Sequence, residues 1–268
     1  MPSVYEFSQI IDLYFHEPYN SLLNGIIFGI KPRGNFELYQ KLLKTGLLHI
    51  AVLSGMNLTL LSSVISSTFY FLGRKVNSLL TILIIIIFVE FVGPQAPIFR
   101  AAIMAILTHV AIIYGKQKNT LYLLFLSAVF SLIFKPQWIK SISFQLSYLS
   151  TLGIILFSKT KRKRPRNFLQ KLSGFLKAEF MTSVSAQIFT APLIFIKFKQ
   201  ISLIAPITNI LVAPVIAPLM VLGFLIAFLG KINYLLGLPI AYTTFGFLKY
   251  ITLILDFFSE IPYGFIKL

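Results

Sequence analysis

The feature that most constrains this chain is its set of apolar runs, several of them about 20 residues long. The hydrocarbon core of a bilayer is roughly 30 Å thick, and a helix rising about 1.5 Å per residue crosses it in about 20 residues. Within that core every backbone N–H and C=O must be paired inside the protein, which leaves only helices and closed barrels. Uninterrupted apolar runs of this length select helices. The expected fold is an all-α membrane protein, a polytopic bundle of about seven or eight transmembrane helices. Composition points the same way: 57% of residues are hydrophobic and 12% charged, against roughly 25% charged in soluble domains. No sizeable soluble domain is expected.

Proline, glycine and charge divide the runs. The first covers residues 47–72, interrupted by Ser54-Gly55-Met56-Asn57 and closed by Arg74-Lys75. The second covers about 78–92. Gly93-Pro94-Gln95-Ala96-Pro97 then reads as a tight turn, because proline cannot continue a helix. Further runs cover about 98–114, 120–134 and 138–157, the last with Trp138 as an interface anchor. A sixth covers 175–196 and a last 234–258. Between these lies 201–229, where Pro206, Pro214 and Pro218 flank Asn209. That stretch is expected to be kinked, or split into two re-entrant pieces. Residues 22–30 are too short to span alone, and Val4, Phe7, Ile11 and Tyr14 recur at helical spacing. The expected organisation is an N-terminal interfacial segment over 1–46, a transmembrane domain over 47–258 and a tail over 259–268. The N-terminus lacks the basic start and apolar core of a secretory signal.

The net charge is +16, from 24 Lys and Arg against 8 Asp and Glu. Two readings compete: attraction to a polyanion, and the cytoplasmic Lys/Arg excess of membrane proteins together with anionic lipid contact. The densest basic stretch holds Lys159, Lys161, Arg162, Lys163, Arg164, Arg166 and Lys171 with no acid between them. It marks a cytoplasmic loop, which with eight spans puts both termini outside. With no cysteine, disulfides and thiolate metal sites are excluded.

Polar groups at membrane depth are costly and usually face a cavity or a partner. Glu90 and Arg100 each lie about one turn from the Gly93–Pro97 tip. Either they pair and fix the hairpin, or Arg100 faces a permeating anion. His49, Ser54, Gly55 and Asn57 come from one interrupted run, where freed backbone groups call for a wet cavity. Gln145, Ser147, Gln187 and Asn209 are uncharged candidates for the same path, or for interhelical packing. His109 reads as a packed histidine.

Taken together these elements resemble the ComEC/Rec2-type competence proteins. Thr45-Gly46-Leu47-Leu48-His49-Ile50-Ala51-Val52-Leu53-Ser54-Gly55-Met56-Asn57 is similar to the family's Gly-Leu-His, small-apolar, Ser-Gly signature. Arg100-Ala101 with Met104 resembles its Arg-Ala-x-x-Met helix start, and Phe144-Gln145-Leu146-Ser147 its Phe-Gln-Leu-Ser segment. Gln187 to Pro192 followed by Phe198, and Asn209 to Pro214, resemble two further elements in the same order. The resemblance covers roughly residues 20–230. Asn57 stands where the family usually has histidine, and asparagine cannot carry a proton charge near neutral pH.

The resemblance implies a channel passing single-stranded DNA across the cytoplasmic membrane in natural transformation. Its expected lining is Ser54–Asn57 and Pro206–Pro218. It also implies separate DNA-binding, nuclease and helicase-type competence proteins as partners, membrane lipids around the core, and a homo-oligomer as one option. The family's oligonucleotide-binding and metallo-β-lactamase-like domains have no counterpart in these residues. His16, His49 and His109 form no His-x-His-x-Asp cluster, so neither metal, cofactor nor enzymatic activity is expected. No phosphate-binding Gly-x-x-x-x-Gly-Lys-Ser/Thr loop is present, so energy would come from partners. A small-solute or ion-coupled transporter is the alternative, since broken helices also mark transporter sites. An intramembrane serine protease, with Ser54 as nucleophile and His49 or His109 as base, is a third.

Overall fold

In a computed structural model, the described residues are 4–30, 35–50, 55–117, 119–158, 167–262 and 264–267. They fold as helices joined by tight turns. In chain order these are α1 (Val4–Tyr14), α2 (Tyr19–Phe28), α3 (Phe36–Lys44), α4 (Gly55–Thr68), α5 (Arg74–Val92) and α6 (Ala96–Ile113), followed by α7 (Thr120–Phe134), α8 (Ile142–Phe157), α9 (Phe168–Phe198), α10 (Ala205–Ile232) and α11 (Tyr234–Ser259). Two three-residue strands, β1 (Gln200–Ser202) and β2 (Phe265–Lys267), pair antiparallel with Gln200 opposite Lys267. This is an all-helical membrane protein. Among the described residues α5, α6, α9, α10 and α11 are long and apolar enough to cross a bilayer. α7 and α8 are apolar but shorter, 15 and 16 residues.

Two compact units divide the chain. One joins residues 1–52 to 152–268, and the other is 53–151. In the first, α10 and α11 form a hairpin that carries the three short N-terminal helices. α2 is too short to span and is buried over Leu22–Phe28. It lies against α10 at Gly223, where any Cβ would overlap Ile27 and Leu23. The apolar face of α1 lies on α10: Phe7 meets Phe228 with ring centroids 5.3 Å apart, and Lys231 bonds Glu6 at 3.1 Å. Tyr14 then enters the tip of the hairpin. Its ring stacks on Tyr234 at 4.7 Å, its hydroxyl donates to Tyr234 O at 2.7 Å, and Gly230 and Gly237 leave room for it. α3 is tied to α11 by Lys41, 2.9 Å from Asp256 and 2.6 Å from Glu37.

The second unit begins with α4 and contains the α5–α6 hairpin. Gly93, with φ 93°, turns the chain, and Pro97 lies in the first turn of α6, where its missing N–H removes no helical bond. α7 ends at Phe134, before Pro136. Phe99 packs against Phe134 and Trp138 at 5.3 and 5.4 Å, and Lys135 lies over the indole. α8 starts in this unit and runs into the other.

One sequence expectation narrows. Of the run over 47–72, the described residues after Ile50 form the 14-residue α4, and the interruption at Ser54 lies outside the described residues. The region 201–229 is not split at its prolines: α10 is one 28-residue helix. Pro206 sits in its first turn, where it costs no hydrogen bond. Pro214 and Pro218 lie inside it and leave the carbonyls of Ile210 and Pro214 without their helical donors. The helix continues through them because its other face is buried along Val212, Ile216, Leu219 and Met220. The Tyr250 hydroxyl also donates to Leu211 O at 3.2 Å, one residue from a freed carbonyl.

Candidate functional site

The sequence-derived site residues fall into two sets, one in each unit. In the unit formed by residues 53–151 the centre is Arg100, fifth residue of α6 and 8% exposed. Its Nη1 donates to Ser147 O at 3.0 Å. The same carbonyl accepts the hydroxyls of Ser150 and Thr151, so three donors converge on it. The guanidinium also stands 6.0 Å from the Tyr148 ring, a cation–π distance. Tyr148 is held in turn by Phe144 at 4.4 Å, and its hydroxyl lies 3.1 Å from Ser131 and 3.3 Å from Ser127. Gly55, the first residue of α4, lies so close that any Cβ there would overlap Nη2 of Arg100. Asn57, two residues on, is fully buried.

The ion pair between Glu90 and Arg100 is not formed. Glu90 is exposed, and the ion pairs among the described residues are Lys41 with Glu37 and Asp256, and Lys231 with Glu6. Equal depth in a hairpin does not fix azimuth. Phe88 is on the buried face of α5, and two residues at about 100° each turn Glu90 to the opposite face. Among the described residues Arg100 therefore has no carboxylate partner, and its buried Nε has no hydrogen-bond partner. An unmet buried donor costs about 1–3 kcal/mol, more when charged.

Gln145 is half-buried, with Nε2 donating to Ile139 O at 3.0 Å. His109 is a packed histidine, buried, with Nε2 3.3 Å from the Ser62 hydroxyl. Ser54 lies outside the described residues, as do Lys161, Arg162, Lys163, Arg164 and Arg166.

In the other unit a polar seam joins α9, α10 and the turn after α3. Asn209 donates to Ser183 at 2.8 Å, while its Oδ1 is buried and unpartnered. Gln187 donates to Ser202 O at 2.7 Å, fixing the strand after α9. Ser202 and Thr208 donate to Lys44 O and Thr45 O at 2.7 and 2.8 Å. Gly46, with φ 74°, is seated against Ala205 and Ser202. His49 closes this turn by donating from Nδ1 to Gly46 O at 2.9 Å, and its ring is exposed. Pro214 lies one turn further along α10, on an exposed face.

Tyr148, Ser183 and Thr208 were absent from the sequence-derived set. Ser183 had a signal: Ser183, Gln187 and Thr190 follow i, i+4, i+7 spacing and share one face of α9. Thr208 had none, since its partner Thr45 is 163 residues away.

The family described as Competence protein matches residues 26–268. This chain is a member of the competence protein family. Over 200 residues the competence chain is 28% identical to an uncharacterized protein of Aquifex aeolicus (strain VF5), an alignment covering 74% of this chain and 43% of that one. Over 205 residues it is 26% identical to ComE operon protein 3 of Bacillus subtilis (strain 168), covering 73% and 25%. The chain thus spans less than half the length of these curated relatives. No solved structure matches it significantly.

Proposed function

We propose that this chain is the membrane core of a channel that passes single-stranded DNA across the cytoplasmic membrane during natural transformation. The observation that carries the reading is Arg100, a buried cation without a carboxylate partner among the described residues, in a competence-family chain. A polyanion crossing a low-dielectric layer needs fixed positive charge and hydrogen-bond donors along its path. Tyr148 adds an aromatic face beside that charge. Asn209, Gln187 and Ser183 supply the uncharged polar groups of the other unit.

The basic loop at 159–171 faces the cytoplasm in this reading and meets the strand, or anionic lipid, on that side. The chain works without a cofactor and without enzymatic activity of its own. Driving force and strand processing come from separate DNA-binding, nuclease and helicase-type competence proteins, and the core can assemble with further copies of itself. The test is uptake of labelled DNA by a strain lacking this gene, complemented with wild type or Arg100→Gln. Transformation is expected to fall to background in the deletion strain and to stay low with Arg100→Gln at normal protein abundance. Normal transformation in the deletion strain overturns the reading and leaves the small-solute transporter in its place.

A further inference from the structure

We infer that the exposed face of α11 around Lys249 borders the aqueous path, where Lys249 meets backbone phosphates of the strand and the rings of Tyr242 and Phe245 meet its bases. This rests on the proposed channel reading and adds to it a surface and the chemistry of contact.

The first observation is depth. α11 has 26 residues, about 39 Å of helix, and is apolar enough to cross a hydrocarbon core of roughly 30 Å. Lys249 stands less than one turn past its midpoint, roughly 15 Å from the nearer end. Snorkelling serves lysines near helix ends and does not reach from there. A charge at that depth calls for a counter-charge or for water. Lys249 is exposed and pairs with no carboxylate among the described residues. Asp256, two turns on, is taken by Lys41 at 2.9 Å.

The second observation is what shares the face. Tyr242, two turns before Lys249, points the same way. It is 78% exposed, and its hydroxyl has no partner among the described residues, a costly state in hydrocarbon. Gly246 lies between the two, and a Cβ there would meet nothing within 4 Å. Phe245, one turn before Lys249, is held edge-on by Tyr19 at 5.0 Å with part of its ring exposed. A cation, a phenol and a fixed ring around a glycine gap thus form a polar strip along an otherwise apolar helix.

A single-stranded nucleic acid fits this strip, with an anion per nucleotide for the lysine and bases for the rings. An acid from a second copy is the other available counter-charge. The charge balance favours the polyanion. The chain has 24 Lys and Arg against 8 Asp and Glu, and Glu6, Glu37 and Asp256 already pair with Lys231 and Lys41. An ion pair between copies also has no use for exposed ring faces.

The chain has no cysteine, so single introduced thiols report directly on water. The full chain is placed in nanodiscs of zwitterionic lipid as Tyr242→Cys, Gly246→Cys or Ile251→Cys, the last on a buried side of α11. A charged methanethiosulfonate reagent reacts in water and not in hydrocarbon. It is expected to label Tyr242→Cys and Gly246→Cys and to spare Ile251→Cys. An oligothymidylate is expected to slow labelling at Gly246→Cys, and inorganic phosphate is not. Each phosphate contact on a single strand contributes about 0.7 to the slope of log K against log salt. Adding Lys249→Gln is expected to reduce that slope, read from the protection, by about 0.7, and Lys249→Arg to keep it. Both substitutions sit on an exposed face and leave the packing of α11 intact. Labelling without protection, with equal slopes before and after Lys249→Gln, overturns the contact with the strand. No labelling overturns the wetted face: lipid covers it, or a second copy does if Gly246→Cys forms a disulfide between chains in the cell membrane. In each case the channel reading still stands or falls on the transformation assay.

Discussion

The seating of Tyr14 between Gly230 and Gly237 can be tested by a change of sign. Gly237→Ala places a methyl carbon 2.6 Å from Cζ of Tyr14, inside van der Waals contact. Neither partner can retreat easily. The ring is stacked on Tyr234 at 4.7 Å with planes 9° apart, and its hydroxyl is tied to Tyr234 O. Overpacking of this kind costs about 1–3 kcal/mol. Tyr14→Ala removes the half-buried ring and its hydrogen bond, about 2–3 kcal/mol when scaled from full aromatic truncations. In that background the methyl group of Gly237→Ala meets open space. The substitution then follows helix propensity, which favours alanine over glycine by up to about 1 kcal/mol. One change is therefore destabilising with Tyr14 present and stabilising without it, a coupling of about 2–3 kcal/mol. Reversible unfolding of the four proteins in mixed micelles, by denaturing-detergent titration, measures it. Additive effects in the double mutant would refute the seating of α1 in the hairpin tip.

Other substitutions probe other joints. Thr208→Val removes the hydroxyl bonded to Thr45 O while keeping the shape, and is expected to lower stability by about 1–3 kcal/mol in the same titration. Thr208→Ser should retain most of it. Gly223→Ala presses a methyl group into Ile27 and Leu23 and should cost about 1–3 kcal/mol, with Ile27→Val in the same chain recovering part of the loss. Pro214→Ala restores a backbone donor inside a continuous α10 and should raise the unfolding midpoint. A lower midpoint would show that the helix is built around the proline. Ser127→Ala with Ser131→Ala strips both partners of the Tyr148 hydroxyl. The pair should reduce DNA uptake while leaving protein abundance unchanged.

Much of the helical layout was legible because its signals are local. Gly93 to Pro97, Gly115 and Pro136 end helices through their own backbone chemistry, and α5, α6, α7 and α11 end close to where those residues or the apolar runs end. For 201–229 the choice between one kinked span and two re-entrant pieces stayed open for a related reason, and the single helix α10 decides it. The proline rule counts a lost hydrogen bond, but burial of Val212, Ile216 and Leu219 against distant segments outweighs that loss and cannot be read at positions 206–218. The Glu90–Arg100 pair failed on azimuth, a quantity that hairpin symmetry leaves open. Arg100, Ser147, Gln187 and Asn209 were visible as polar residues in apolar runs. Their partners were not: Ser147 O is 47 residues from Arg100 and Ser202 is 15 from Gln187.

The unit built from residues 1–52 and 152–268 has a temporal consequence. Its first three helices leave the ribosome with their apolar faces formed and the surfaces that cover them unmade. Tyr14 waits for Tyr234, 220 residues later, and Thr45 for Thr208, 163 residues later. At about 5–20 residues per second the interval is tens of seconds at the slow end and several at the fast end. During it α1 and α2 must be sheltered by lipid or by the insertion machinery. Closing those contacts across so long a stretch of chain is an entropic step of the kind that slows folding. Assembly of this unit is thus set by the synthesis of α10 and α11, and a ribosome stalled before residue 205 would leave an N-terminus that has no place to dock.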